Sequence, residues 1–474
     1  MHIIDLGIFV GYMLVMLGVG YYFMRRNKSQ DDYYVGGRDI GSWHIGLSVV
    51  ATDVGGGFSV GLGGLGFVMG LSGSWMLFTG LLGAWLAAVF LIPRVKSDRA
   101  FANFYTFPQI IQHLFDRRAG LVAALICLIG YLGFTSSQLL AGAKLASGTF
   151  EGLTVNHALW IMGVIAVVYT VLGGLKAVIY TDTVQWIVLM LGFIFIGLPV
   201  SYYHVGGWDV IKNTLPAEFF SLSNLTWQDL ANWGITILPV WFIGMTLYQR
   251  IFASRDVASA KKAWFIAGLF EWPIMAFMGV ALGLLSRVAF EQGLLIIDVD
   301  ALDPEMGLPV LLRTILPSGI LGLMMSAYFS AVLSTADSCL MAASGSLNSD
   351  IFGKWMNDLS QNSQVRWAQL FTLILGIIAL LVALQMTNVL DLMLYSYAFM
   401  VSGLLIPVLF GLFSNRKSPE AALWSMIIGG TVTAFLSLLE VSLPFGLDPN
   451  FFGVSASLAM YLLVYNVQKL NQSK

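Results

Sequence analysis

The stretch from Gly41 to Gly70, GSWHIGLSVVATDVGGGFSVGLGGLGFVMG, is long and apolar enough to cross a bilayer, yet its middle carries Asp53 followed by Gly55, Gly56 and Gly57. An ionised carboxylate near the bilayer midplane costs at least ~2.5–3.5 kcal/mol on insertion scales, and each glycine adds roughly 1 kcal/mol against helix. A continuous lipid-facing helix recovers neither cost. A helix that unwinds at the glycines does, because freed carbonyls and the carboxylate then face a cation across a protein-lined cavity, where irregular backbone is tolerated at membrane depth. The segment reads as half of an ion and solute site, and the rest of the chain as the machinery around it.

The composition agrees with that reading. The 474 residues are 58% hydrophobic and only 11% charged, with a mean hydropathy of +0.80, against roughly 25% charged residues in soluble domains. This is an all-α polytopic membrane protein. A net charge of −2 points to neither nucleic acid nor an acidic partner. Cys127 and Cys339 both fall in apolar spans, so no disulfide framework is expected. Ile3–Met24 is too long for a signal-peptide core and lacks a positive leading region, which predicts a retained span.

Apolar runs of about 20 residues predict spans near 3–24, 41–70, 73–93, 119–148, 156–175, 178–203, 231–252, 260–286, 316–347, 367–386, 389–414, 419–438 and 450–468. With thirteen spans and the N-terminus outside, 20 of the 24 Lys and Arg residues fall in cytoplasmic segments, leaving only Lys144, Lys212, Arg287 and Arg313 for the outer half. That asymmetry predicts an inner-membrane protein with a cytoplasmic C-terminus. Tyr105–Asp116 reads as an amphipathic helix along the inner interface, and the loop 205–232, with Trp208 and Trp227, as an outer cap or interfacial belt. Asp298, Asp300 and Asp303 make an acidic outer loop.

Among the intramembrane acids, Asp391 near a span end reads as an interfacial residue and Glu271 as a helix-pairing carboxylate. Asp53, Asp182 and Asp337 differ, because each sits among small or hydroxyl residues able to complete an oxygen shell. In SAYFSAVLSTADSCLMAASGS, residues 326–346, Ser334, Asp337 and Ser338 recur at i, i+3 and i+4 and share one helical face, with Thr335 beside them. Hydroxyls, carbonyls and a carboxylate suit a hard cation such as Na⁺. Asp182 follows a short turn holding Lys176 and is favoured there by the helix dipole as well.

Gly173-Gly-Leu-Lys-Ala-Val-Ile-Tyr-Thr-Asp-Thr-Val-Gln185 resembles the signature of the sodium:solute symporter family, and several other motifs fit it in order. They are Val35-Gly-Gly-Arg-Asp-Ile-Gly41, Ala51-Thr-Asp-Val-Gly-Gly-Gly57, Gln249-Arg250 and Ser330-Ala-Val-Leu-Ser-Thr-Ala-Asp-Ser338. The likeness runs from about residue 8 to 414. It implies a LeuT-like core of two five-helix inverted repeats with broken first helices, spanning 41–203 and 231–414. Outside them stand an accessory helix at 3–24 and two at 419–468, within a single transporter domain. Pro239 and Gly244 in the seventh span fit the second break.

The same resemblance implies a sodium site of Ala51, Val54 and Ala331 by backbone with Ser334 and Thr335 by side chain, and a second one of Asp182, Ser334, Asp337 and Ser338. It places Asp53 between ion and solute and makes Gln138, Trp241, Phe242 and Tyr248 candidates for solute contact. Asp53, Gly133 and Gly244 stand where the choline branch is expected to carry tryptophans, so a quaternary-ammonium cage is not predicted.

The expected function is Na⁺-coupled import of a small polar organic solute by alternating access, the solute being an amino acid such as proline or a pantothenate-like carboxylate. Choline or betaine, sugar, and proton-coupled transport on the same fold are the alternatives. No catalytic constellation, P-loop or His/Cys cluster is expected, and hence no enzyme. The expected partners are solute, sodium ions and the lipid bilayer, with neither nucleic acid nor a required protein partner.

Overall fold

The computed structural model describes residues 3–25, 34–150, 152–295, 303–439 and 442–472. Arg26, Lys28, Asp298, Asp300 and Lys474 lie outside the described residues. Helices α1 (Ile3–Met24), α2 (Ser42–Met69), α3 (Trp75–Leu86), α4 (Ile92–Ser97), α5 (Phe107–Leu114), α6 (Arg117–Thr149) and α7 (Val155–Gly192) come first. They are followed by α8 (Leu198–His204), α9 (Gly207–Thr214), α10 (Trp227–Ile243), α11 (Met245–Ala253), α12 (Val257–Leu269) and α13 (Ala276–Glu291). The last are α14 (Pro304–Ile315), α15 (Ile320–Gly345), α16 (Gly353–Asn357), α17 (Gln361–Ala383), α18 (Val389–Phe413), α19 (Pro419–Leu439) and α20 (Pro449–Gln472). Among the described residues ten helical stretches are long and apolar enough to cross a membrane, with two shorter apolar helices besides.

Helix starts follow from short polar side chains that take up otherwise orphaned first-turn N–H groups. Asp116, Thr154, Thr226, Asp256, Asp303, Ser360 and Asn388 each accept such a bond, a contribution of about 0.5–2 kcal/mol apiece. The expected interface helix forms as α5, where Gln109 Oε1 accepts from the backbone N–H of Tyr105 and Thr106. Loop 205–232 folds onto the α2–α3 junction. Ser72 Oγ donates to Ser221 O at 2.8 Å, and the Asn224 amide reaches Met69 O.

Helix α7 is one helical run of 38 residues, and it doubles back on itself. Tyr169 and Thr181 are 12 residues apart, yet their hydroxyls lie 3.2 Å from each other. A straight helix would separate them by about 18 Å. The turn predicted between the spans 156–175 and 178–203 is therefore present, and it brings Thr170 and Asp182 to the same neighbour, α15.

Two helices predicted to break do so. Gly55 leaves helical geometry inside α2 at φ 44°, ψ −166°, and Gly244 separates α10 from α11 at φ −64°, ψ 113°. A third interruption lies between α12 and α13, at Trp272 (φ −136°, ψ 127°). At Gly55 a side chain is excluded twice over, by the positive φ and because a Cβ would collide with the Thr335 hydroxyl.

Helix α15 runs through the middle of the bundle and is buried from Met324 to Gly345. Helix α1 docks on its start, where Asp5 Oδ1 accepts from the N–H of Gly319 and Gly322 at 2.6 and 2.8 Å. The loops sort to two ends. Arg38 reaches Ala102 O, Lys96 reaches Phe252 O, Arg94 reaches Leu412 O and Thr106 reaches Asp350, all at one end. At the other, buried Lys144 pairs with Asp303 and Glu305 at 2.5 and 2.6 Å. Glu305 also accepts from the N–H of Val389 and Leu390, fastening α14 to the start of α18.

Candidate functional site

The unwound turn of α2 lies against α15. Thr335 Oγ1 donates to Ala51 O at 3.0 Å and lies 3.3 Å from Ala331 O. Three of the five residues expected to hold sodium thus already meet in a cluster of oxygens. Ser334, fully interior, has an Oγ with no hydrogen-bond partner among the described residues. Val54 belongs to the same turn of α2.

One helical turn along α15 stands a second polar cluster. Asp337 Oδ1 accepts from Thr170 Oγ1, and Asp182 Oδ2 accepts from Ser48 Oγ. Ser334 Oγ lies beside the Asp182 carboxylate without forming a well-aligned bond to it. Three oxygens in this cluster, Asp182 Oδ1, Ser334 Oγ and Asp337 Oδ2, have no partner among the described residues. Polar oxygens left without partners in a dry interior are costly.

Arg250 corrects the sequence reading, which counted it among the cytoplasmic charges. It is 0% exposed because the break at Gly244 turns α11 inward. Its guanidinium donates to Ser48 Oγ at 3.0 Å, Thr52 Oγ1 at 2.5 Å and Ser338 Oγ at 2.8 Å, and lies 3.4 Å from Asp182 Oδ2. Ser338, expected as a sodium ligand, is therefore occupied by Arg250 and by Thr52 at 3.2 Å. The cluster thus sets the carboxyls of Asp182 and Asp337 beside one guanidinium.

The expected solute residues separate into groups. Gln138 is buried, with its amide 3.2 Å from Ser137 Oγ. Two helical turns before it, on the same face of α6, Tyr131 Oη bonds the N–H and hydroxyl of Thr246 just past the Gly244 break. Gln138 thus shares the face of α6 that meets the break. Phe242 stands at the end of α10, and its carbonyl accepts from Tyr248 Oη at 2.8 Å. Tyr248 pins the break closed, and its ring packs 4.9 Å from that of Phe107 on α5. Trp241 packs over Gly83 and beside Trp264, its indole N–H without a partner among the described residues.

Asp53 has Glu271 within hydrogen-bond reach, so the predicted helix-pairing carboxylate is found paired with an aspartate. At Gly133, Ser396 stands where a side chain would go, which leaves no room for a larger residue. Sequence reasoning missed Ser48, Thr52, Tyr131, Thr170 and Arg250 as site residues. Ser48 and Thr52, at i and i+4 just before the α2 glycines, carried a signal. Thr170 and Arg250 became meaningful only once the α7 turn and the Gly244 break had placed them.

Comparison with known proteins agrees with this geometry. The high-affinity proline transporter PutP of Bacillus subtilis is 29% identical over 429 residues, covering 87% of this chain and 88% of its own length. The sodium/glucose cotransporter of Vibrio parahaemolyticus is 24% identical, covering 93% and 86%. A solved structure of a Na⁺-coupled sialic acid symporter in a substrate-bound outward-open state superimposes with a TM-score of 0.82 at 21% identity, covering 98% of both chains. Mhp1, a nucleobase-cation-symport-1 family transporter, follows at 0.58 and 14% identity over 91% and 92%. The fold is the LeuT-like one. The family model described as the sodium:solute symporter family matches residues 33–429, and this chain belongs to that family.

Proposed function

We propose that this chain imports a small polar organic solute down a sodium gradient, with one Na⁺ held by Ala51, Val54 and Ala331 carbonyls and the Ser334 and Thr335 hydroxyls. The observation that carries the reading is the Thr335 hydroxyl bridging α2 and α15 through Ala51 O and Ala331 O. An ion at this seam stabilises the closed contact of the two helices, and its departure frees them to separate, which couples ion to solute. The proline-transporter relatives favour an amino acid such as proline over a pantothenate-like carboxylate, choline or sugar.

A second Na⁺ is supported by the unpartnered oxygens of Asp182, Ser334 and Asp337 and by two carboxyls gathered around the single guanidinium of Arg250. Ser338 contributes by anchoring Arg250 rather than by facing the ion. Thirteen spans, two repeats at 41–203 and 231–414, and an N-terminus outside the inner membrane complete the proposal. The sorting of loops into two ends and the basic residues gathered at one of them support it.

The test is uptake of labelled L-proline and a solute panel into proteoliposomes, with Na⁺ replaced by K⁺ at fixed pH. Loss of accumulation is expected. Uptake that persists with K⁺ and follows an imposed pH gradient would favour proton coupling instead.

A further inference from the structure

Helix α1 stands outside both predicted repeats, yet one of its faces is fully engaged. Asp5, Phe9, Tyr12 and Met16 recur at i, i+4, i+7 and i+11 and so share one helical face, while Leu6, Val10, Leu14 and Val15 are exposed. The engaged face meets α15 from its start. Asp5 caps that start through Gly319 and Gly322, and a Cβ at Gly322 would collide with the Asp5 backbone, so the two helices touch main chain to main chain. Further along, the rings of Phe9 and Phe329 lie 5.6 Å apart, and the hydroxyls of Tyr12 and Ser330 are hydrogen-bonded to each other. Tyr12 follows Asp5 by seven residues and Ser330 follows Gly322 by eight, about 10.5 and 12 Å of helix, so α1 and α15 run side by side in the same direction.

The same face of α1 reaches α7. Gln185 Nε2 donates to Met16 Sδ at 3.4 Å, and the buried Gln185 side chain also lies within hydrogen-bond reach of the Tyr12 hydroxyl. Gln185 stands one turn after Asp182, and Ser330 one turn before Ser334. Tyr12 thus sits between the two helices that supply the Asp182, Ser334 and Asp337 oxygens, one turn from the residues that carry them. A cation site keeps its affinity only while its oxygens are held to within about 0.5 Å by the groups behind them.

We propose that Tyr12 is a positioning residue for sodium: through Ser330 on α15 and Gln185 on α7, its hydroxyl sets the spacing of the two helices and with it the affinity of the ion held by Asp182, Ser334 and Asp337. The proposal rests on the reading of this chain as a sodium-driven importer with a second ion at that cluster. It gives α1, which lies outside the repeats, a part in ion coupling.

Sodium-dependent thermal stabilisation of the purified full-length protein, without solute and with K⁺ holding the ionic strength, tests it. Tyr12→Phe removes the hydroxyl and keeps the ring. It is expected to raise the sodium concentration at the midpoint roughly two- to tenfold. Ser330→Ala breaks the same bond and is expected to give a similar shift, and the double variant no more than the larger of the two. In an Asp182→Asn background, Tyr12→Phe is expected to shift the midpoint no further.

An unchanged sodium midpoint for Tyr12→Phe overturns the proposal, even with a lower melting temperature, since that is the mark of a packing contact alone. Shifts of the two variants that add, or a full shift in the Asp182→Asn background, overturn it as well. If Tyr12→Phe does not fold, the midpoint of Ser330→Ala decides. Failure of the sodium-driven reading shows separately, in the unmodified protein, as uptake that survives replacement of Na⁺ by K⁺.

Discussion

Asp182 and Asp337 are set among hydroxyls and a guanidinium, whereas Asp53 and Glu271 face each other, carboxyl to carboxyl, within hydrogen-bond reach. Both pairs are buried in the same bundle within reach of α2, so burial alone does not separate them. The difference lies in what the chain itself supplies. Around Asp182 it has built in a fixed cation, Arg250. Around Asp53 it supplies a second carboxyl, that of Glu271.

That contrast is open to attack at several strengths. The largest effect belongs to Arg250→Met. Removing one partner of a fully buried ion pair costs about 3–5 kcal/mol, so the melting temperature of the purified protein should fall steeply, and Arg250→Met with Asp182→Asn should recover part of the loss. A single variant as stable as the unmodified chain would mean that Arg250 does not compensate Asp182. Next comes Ser334→Ala with Thr335→Ala. Losing two hydroxyl ligands is expected to raise the sodium concentration for half-maximal uptake by roughly tenfold or more, because ~1.4 kcal/mol is already a factor of ten. An unchanged sodium dependence in a normally inserted protein would rule out the α2–α15 site.

The smallest effect is assigned to Gln138→Ala. One hydrogen bond to a neutral group contributes about 0.5–1.5 kcal/mol, so apparent solute affinity should weaken by roughly two- to tenfold. Sodium affinity measured without solute should not move. A sodium shift with no solute shift would place Gln138 in the ion path and blur the contrast.

Much of the fold was legible because membrane burial forces a strong signal. Apolar runs gave a bundle of long apolar helices, ten of them able to cross a membrane among the described residues, and glycines beside an intramembrane aspartate gave the α2 break. The α7 turn was legible as well, from Gly173-Gly174 and Lys176 between two apolar runs. The α15 face was readable from its i, i+3, i+4 spacing. What escaped were partnerships that depend on tertiary approach. Arg250 reads as a cytoplasmic charge after a span until the break at Gly244 turns α11 inward. Glu271 and Asp53 are far apart in sequence, and nothing local to either announces the other. Tyr248 follows an aromatic pair and reads as pocket wall, yet its hydroxyl is spent on Phe242 O.

The central claim is that the ion cluster holds two sodium ions, one at the α2–α15 seam and one balanced against Asp182, Asp337 and Arg250. The most direct test is sodium stoichiometry in proteoliposomes, from the sodium dependence of uptake together with the charge moved per solute. A Hill coefficient above one and two charges per electroneutral solute are predicted, with Asp182→Asn lowering the coefficient towards one while transport continues. A coefficient of one at saturating solute, with one charge per solute in the unmodified protein, would contradict the account.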